Sequence, residues 1–213
     1  RGNKRVKPDL ESVVALDGRL VGLPSGSAPG RDQLAVDAAW LDGRALYDTL
    51  RALVPGELNV EGARLDGSEL WLFNRGNGAI GSIDARIVVD RGAFAAWLGG
   101  GPAPVPRLAE TWDLGALHGV RLSFTDVTDD GPALFSAAAE ASPNAVDDGA
   151  VLGIAVGRLE DGGWTEIEEA GAPISDKIEG LTWLDGVLWA CTDPDDPDRP
   201  GELLEIALGG RWR

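Results

Sequence analysis

The chain has 213 residues, of which 44% are hydrophobic and 25% are charged, and its formal net charge is −16. This composition is typical of a folded soluble protein with one sizeable core. The acidity argues against nucleic acid and anionic membranes as partners, because phosphate contacts require lysine and arginine. No apolar run is long enough to predict a membrane span.

The chain contains no methionine, and no apolar segment follows the basic residues Arg1–Arg5 as it would in a signal peptide. We therefore expect a cytoplasmic protein that lacks N-terminal sequence of a longer parent. Cys191 is the single cysteine, which excludes an internal disulfide. Its apolar, strand-like surroundings predict a small buried core residue.

Three segments share one pattern: a glutamate, a small residue, a short apolar strand, Leu-Asp-Gly and a second apolar strand. They are Pro8–Leu23, Leu58–Phe73 and Asp176–Cys191. An Asp-Gly pair between two apolar runs predicts a tight hairpin, because glycine supplies the positive φ that the turn needs and aspartate tolerates it. Each segment is therefore predicted to be a hairpin that begins at a glutamate.

A fourth, looser copy lies between the second and the third segment. Gly119–Thr125 is its predicted first strand, Asp129–Gly131 its turn and Pro132–Ala138 its second strand. No glutamate begins it, but Glu140 follows its second strand. Since the start of one antiparallel strand lies beside the end of the next, we expect Glu140 to lie near the position of the missing glutamate.

Further strands and two helical insertions follow these hairpins. The strands are Gln33–Asp37, Ala85–Val89, Arg107–Leu114, Leu152–Leu159, Trp164–Glu168 and Leu203–Leu208, and the helices are Gly43–Val54 and Gly92–Leu98. Repeated units of up to four strands predict an all-β protein, a single β-propeller domain over residues 1–213. Four blades are visible, and we expect five or six in the complete parent; a sandwich or an open solenoid of hairpins is the alternative.

Several of these segments together resemble a known group of proteins. They are Lys7–Ser12, Ser25–Ser27, Asn59–Gly62, Phe135–Glu140, Asp147–Gly153 and Asp176–Gly180. Over nearly its whole length the chain resembles an uncharacterised bacterial β-propeller family of unknown function, which is similar in pattern to the esterase-like phytase propellers. The resemblance implies a cytosolic protein with one more blade before Lys7, and it brings no established reaction with it.

The first strand of each blade lines the central channel of a propeller, so residues at one repeat position converge there. Glu11, Glu61 and Glu179 share that position, and we expect Glu140 to join them. Carboxylates this close raise one another's pKa, and a bound cation removes the repulsion. Calcium is the favoured cation because it takes many oxygen ligands in flexible geometry, with magnesium or manganese as alternatives. A purely structural role, with the glutamates capping strands or pairing with basic neighbours, stays open.

A ring of polar residues follows the second strands of the hairpins and is expected to surround one mouth of the channel. Its members are Ser25, Ser27, Arg75, Asn77 and Asp193. We expect them to contact a small molecule or a protein partner. Three functions stay open: a propeller that binds a divalent cation and a small ligand, a calcium-dependent hydrolase of lactones, esters or phosphoesters, and a protein-interaction scaffold. No catalytic residue is predicted, and an incomplete propeller is expected to self-associate through its open edges.

Overall fold

The structure is a computed structural model that describes residues 8–77, 80–142, 149–194, 196, 198–209 and 212. Lys7, Asp147 and residue 148 of the sequence motifs lie outside the described residues. Four antiparallel sheets follow one another along the chain and are arranged as a four-bladed β-propeller, which confirms the predicted fold class. The innermost strands of successive blades contact one another and surround the channel.

The first two blades have four strands each, in chain order from the channel outward. The first blade comprises β1 (Leu10–Leu16), β2 (Arg19–Pro24), β3 (Gln33–Val36) and β4 (Ala39–Asp42). The second blade comprises β5 (Val60–Asp66), β6 (Glu69–Asn74), β7 (Asp84–Asp90) and β8 (Arg107–Trp112).

The third blade has three long strands, a three-residue outer strand and a short extra strand at its inner edge. It comprises β9 (Ala116–Leu117), β10 (Val120–Val127), β11 (Leu134–Glu140), β12 (Val151–Arg158) and β13 (Trp164–Glu166). A small hairpin, β14 (Glu168–Glu169) and β15 (Ala172–Pro173), leads to the fourth blade. The fourth blade comprises β16 (Lys177–Leu184), β17 (Val187–Asp193) and β18 (Leu203–Ile206).

Two helices are inserted between strands, as the sequence predicts. Helix α1 (Arg44–Leu53) lies between the first and second blades in the chain, and α2 (Arg91–Leu98) connects β7 to β8. The hydroxyl of Tyr47, buried on α1, donates a 2.7 Å hydrogen bond to the carbonyl of Pro24 and so fixes the helix to the end of β2. Neither helix is long and apolar enough to cross a membrane.

The hairpin turns follow the predicted chemistry with one shift of register. Asp17 and Gly18 have φ of 50° and 81° and make the two-residue turn between β1 and β2, as a type I′ hairpin requires. Asp185 and Gly186 make the same type of turn between β16 and β17 in the fourth blade. In the second blade Asp66 stays in the strand and pairs with Glu69, so the turn falls on Gly67 and Ser68. The position of the turn follows from strand length, because five residues separate the glutamate from the turn in each of these three blades.

Apolar clusters fill the spaces between successive blades. Leu16, Leu23 and Leu34 of the first blade pack with residues of the second blade and both helices. Between the second and third blades, Phe73 and Phe124 pack edge to face with ring centroids 5.3 Å apart. A third cluster joins the third and fourth blades. The fold therefore rests on face-to-face packing of sheets, the main source of burial in such an architecture.

Polar contacts near the channel add to this packing. Asp84, fully buried in the second blade, accepts 3.0 Å hydrogen bonds from the backbone amides of Gly76 and Phe124. Arg121 of the third blade lies 2.7 Å from the same carboxylate. Burial raises the pKa of Asp84, and these hydrogen bonds and the Arg121 charge oppose that rise. The pair therefore links the third strand of the second blade to the inner strand of the third blade.

The prediction of a buried Cys191 is wrong. Cys191 lies on the face of β17 that none of the described blades covers, and it is exposed. The apolar run around it is real, but a strand alternates its side chains between two faces, and only one face of this blade is packed. Burial raises the pKa of the Cys191 thiol, and the charge of Asp126 raises it further.

Candidate functional site

The glutamates of the repeat lie at β-bulges on the innermost strands. The pairing of the inner strand with the second strand shifts register at Glu11, Glu61 and Glu179. A bulge bends its strand and changes the direction of a side chain, which explains why the same residue type recurs at this position. The third blade has its register shift at Thr125, whose hydroxyl donates a 2.9 Å hydrogen bond to Ser136.

The structure brings three of the four predicted glutamates together. Carboxylate oxygens of Glu11, Glu61 and Glu179 lie within 4.8 Å of one another. Glu61 is only 4% exposed, and the other two are partly buried. Each comes from a different blade, so three separate strands supply the oxygens. Oxygen atoms at this spacing are the ligands that hard cations such as calcium prefer.

Crowding perturbs the protonation of this cluster. Burial raises the pKa of Glu11 to about 9, and the nearby charges of Glu61 and Asp9 contribute to the rise, while Lys177 opposes it. At neutral pH Glu11 therefore holds a proton in the absence of another cation. A cation that binds between the carboxylates takes the place of this proton.

Glu140 lies in an ion-pair network beside the cluster. Its Oε2 is 2.5 Å from Nη2 of Arg75. The other terminal nitrogen of Arg75, Nη1, is 3.2 Å from Oε1 of Glu61. Lys177 Nζ is 2.7 Å from Glu179 and 3.7 Å from Glu140. Burial raises the pKa of Glu140, but the charges of Arg75 and Lys177 and hydrogen bonds from neighbouring groups outweigh it and lower the pKa to about 2. Glu140 thus neutralises cations, and its role as a metal ligand stays a prediction.

The ionised network keeps an excess of negative charge. Its four glutamates are Glu11, Glu61, Glu140 and Glu179, and its two cations are Arg75 and Lys177. Protonation of one glutamate removes only part of this excess. A divalent cation that displaces this proton would neutralise both excess charges, and this unbalanced negative charge favours cation binding.

A second set of polar residues supports the glutamates from two positions earlier in the sequence. Asn59 donates a 2.6 Å hydrogen bond to Oε1 of Glu61, and Lys177 forms a 2.7 Å ion pair with Oε1 of Glu179. Asp9 shares a hydrogen bond with Glu11. The sequence analysis overlooked Asp9 and Asn59. The sequence pattern that could have identified them is a polar residue two positions before each glutamate of the repeat.

Ser25 and Ser27, two of the predicted ligand residues, are engaged with side chains of the first blade. Ser25 is fully buried and its hydroxyl donates a 2.9 Å hydrogen bond to Asp9. The hydroxyl of Ser27 accepts a 2.8 Å hydrogen bond from Arg31, which also lies 2.6 Å from Asp9. These residues therefore hold the Asp9 carboxylate beside Glu11, and direct contact of either serine with a ligand stays a prediction.

The other three predicted ligand residues differ in their surroundings. Arg75 is 3% exposed and lies between Glu61 and Glu140. Asn77 has a buried Oδ1 that accepts no hydrogen bond from the residues that the structure describes. Asp193 ends β17 in an exposed position opposite Lys177 in the sheet. Their contact with a ligand stays a prediction.

Asp126 is a further carboxylate near the channel that the sequence analysis overlooked. It follows Thr125 and is 8% exposed, and its Oδ2 accepts a 2.6 Å hydrogen bond from the backbone amide of Leu181 in the fourth blade. Burial raises its pKa well above the ordinary value; hydrogen bonds to its carboxylate oppose this, and the charge of Glu61 adds to it. No sequence pattern marked it, because the repeat has a small residue at this position.

A groove of about 600 Å³ extends from the glutamate cluster between the first and fourth blades. Leu10, Val13 and Leu20 line it from the first blade, and Trp189 and Leu203 line it from the fourth. The charged side chains that line it among the described residues are all carboxylates. The groove thus has apolar walls and an acidic inner end.

Comparison with known proteins gives a family and no reaction. A family of unknown function, DUF6910, matches residues 3–197 of the chain. No curated protein matches the chain.

Proposed function

We propose that this chain, which belongs to the DUF6910 family, is a β-propeller that binds a divalent cation in its acidic channel. The observation that supports the proposal is the approach of Glu11, Glu61 and Glu179 to within 4.8 Å of one another. Three like charges so close are unfavourable unless a proton or a cation lies among them. The raised pKa of Glu11 indicates how strongly the cluster attracts a positive charge.

Calcium is the cation that fits this set of ligands best. The carboxylates come from three strands, and the carboxylate of Asp9 lies beside them through its hydrogen bond with Glu11, which suits a large ion with irregular coordination. Magnesium demands near-octahedral geometry and retains its water molecules, so it fits this rigid, crowded cluster less well. We expect calcium to bind more tightly than magnesium.

Glu179→Gln tests the proposal directly. Isothermal titration of the purified chain with calcium should show saturable binding at one site. The substitution should lower the affinity about tenfold or more, because it removes one charged ligand. Glu160→Gln, at an exposed turn position, is the matched control and should bind calcium like the parent chain. Equal calcium affinities of the two variants, or no heat of binding in the parent, would overturn the proposal.

A further inference from the structure

The first blade leaves one apolar face uncovered along the groove. Three side chains of this face are 41%, 53% and 61% exposed: Leu10, Val13 and Leu20. The residues at the same repeat positions of the second blade are at most 2% exposed because the first blade covers them: Val60, Ala63 and Leu70. The face is thus built like a packed interface, yet it borders the groove.

The opposite wall of the groove has the same character. Leu203 of the fourth blade is 70% exposed, whereas Leu34, its equivalent in the first blade, is fully buried. Cys191 beside it is exposed, whereas its equivalent Leu23 is fully buried. Trp189 lies on this same wall and adds an aromatic surface. Two facing apolar walls favour a ligand with an apolar body.

The charges that line the groove decide which kind of ligand fits. Five carboxylates line it: Glu11, Asp37, Asp126, Asp129 and Glu179. No lysine, arginine or histidine does so among the residues that the structure describes. Such a lining repels anions and attracts a positive charge to the inner end of the groove, where Glu11 and Glu179 approach each other.

We propose that the groove binds a small organic cation, an ammonium group with an apolar body. The ammonium group lies at Glu11 and Glu179, and the apolar body lies between Val13, Leu20 and Leu203. The inference rests on the proposed function in one respect, since it uses two of the carboxylates that hold the divalent cation. The two cations are therefore expected to compete.

The size of the groove favours a small molecule over a further protein layer. Its volume of about 600 Å³ lies in the range of small-molecule sites. An additional β-sheet would need roughly 10 Å of separation from each wall, whereas carboxylate oxygens of Glu11 and Glu179 reach within 4.8 Å of each other across the inner end.

Four probe compounds, three of them with the same six-carbon chain, test the proposal by isothermal titration of the whole chain. Hexylamine carries both the charge and the apolar body, hexanol lacks the charge, hexanoate reverses it, and methylamine lacks the body. The affinity of the chain for hexylamine should exceed its affinity for each of the other three compounds by about tenfold or more. Equal binding of hexylamine and hexanol, or of hexylamine and methylamine, would overturn the proposal.

A pair of variants locates the binding. Leu20→Asn changes a groove side chain that is already 61% exposed, so the fold should tolerate it. It should weaken hexylamine binding severalfold and leave calcium affinity unchanged. Leu152→Asn, 43% exposed on the third blade and away from the groove, is the control and should change neither. Equal effects of the two substitutions on hexylamine would contradict the assignment.

The outcomes separate this inference from the proposed function. Calcium binding without hexylamine binding overturns the inference alone, and hexylamine binding without calcium binding overturns the proposed function alone. Sedimentation of the chain at the titration concentration checks whether a second copy covers the groove. A stable dimer that Leu20→Asn dissociates would also overturn the inference.

Discussion

Thr125 occupies in the third blade the bulge position that Glu61 occupies in the second. The ring of inner strands therefore carries three carboxylates and one hydroxyl. Glu140 reaches the same region from the second strand of its blade, but it pairs with Arg75. The bulge carboxylates thus come from the first, second and fourth blades, and two of them, Glu11 and Glu179, line the groove.

Glu11→Gln should stabilise the chain at alkaline pH when no divalent cation is present. The ordinary pKa of 4.5 rises to about 9 in the fold, so the folded chain holds a proton that the unfolded chain has released between these values. Stability should therefore fall as pH rises through this window, by up to about 1.4 kcal/mol per pH unit. Glutamine resembles the protonated side chain and removes this loss. Urea unfolding of the parent and the variant at intervals between pH 5 and pH 9 measures this pH dependence of the free energy of unfolding.

The acid side of the profile provides the control for this experiment. The pKa of Glu140 is lowered to about 2, so the stability that this carboxylate contributes is lost only as pH falls below the ordinary value of 4.5. Glu11→Gln should leave that loss unchanged. Parallel stability profiles of the parent and the variant on the alkaline side would show that Glu11 ionises normally and would contradict the prediction.

Calcium affinity should rise with pH because calcium displaces a proton from Glu11. With the pKa of Glu11 at about 9, the apparent affinity should rise by up to about tenfold per pH unit between pH 6 and pH 8. Titrations in buffers of different ionisation enthalpy measure the proton that is released. Calcium binding that is independent of pH, with no proton release, would place the cation away from Glu11.

Much of this fold follows from sequence because the repeat combines local signals. Asp17 and Gly18 mark a turn by their backbone preferences, and the spacing from Glu11 fixes the strand before it. The role of Thr125 could not be predicted, because only the pairing of β10 with β11 shows where the bulge falls. Asp126 was overlooked for a similar reason, since its partner Leu181 belongs to another blade.

Removal of Arg75 should destabilise the chain strongly. Arg75 is 3% exposed and lies between two buried carboxylates, so Arg75→Met leaves both without their main counter-charge. The expected loss is about 3 kcal/mol or more in the free energy of unfolding. Arg19→Met is the matched control, since Arg19 pairs with Asp37 at the surface and should contribute less than about 1 kcal/mol.

A second substitution separates the ion pair from the packing of Arg75. Glu140→Gln in the Arg75→Met background removes one of the unpaired charges and should restore part of the lost stability. Calcium should also stabilise Arg75→Met more than the parent chain, because it replaces part of the missing positive charge. Unfolding curves with and without calcium that show the same loss would mean that Arg75 acts through packing alone.

Cys191 should report on the groove as a chemical probe. It is exposed on the groove wall, so a maleimide should label it in the native chain, which a buried core cysteine would resist. Burial raises the pKa of its thiol, and the charge of Asp126 contributes, so labelling should accelerate as pH rises because the thiolate is the reacting form. Saturating hexylamine should slow the labelling several-fold by occupying the space beside Leu203, whereas methylamine should not. A labelling rate that hexylamine leaves unchanged at saturation would place the apolar body of the ligand away from the fourth blade.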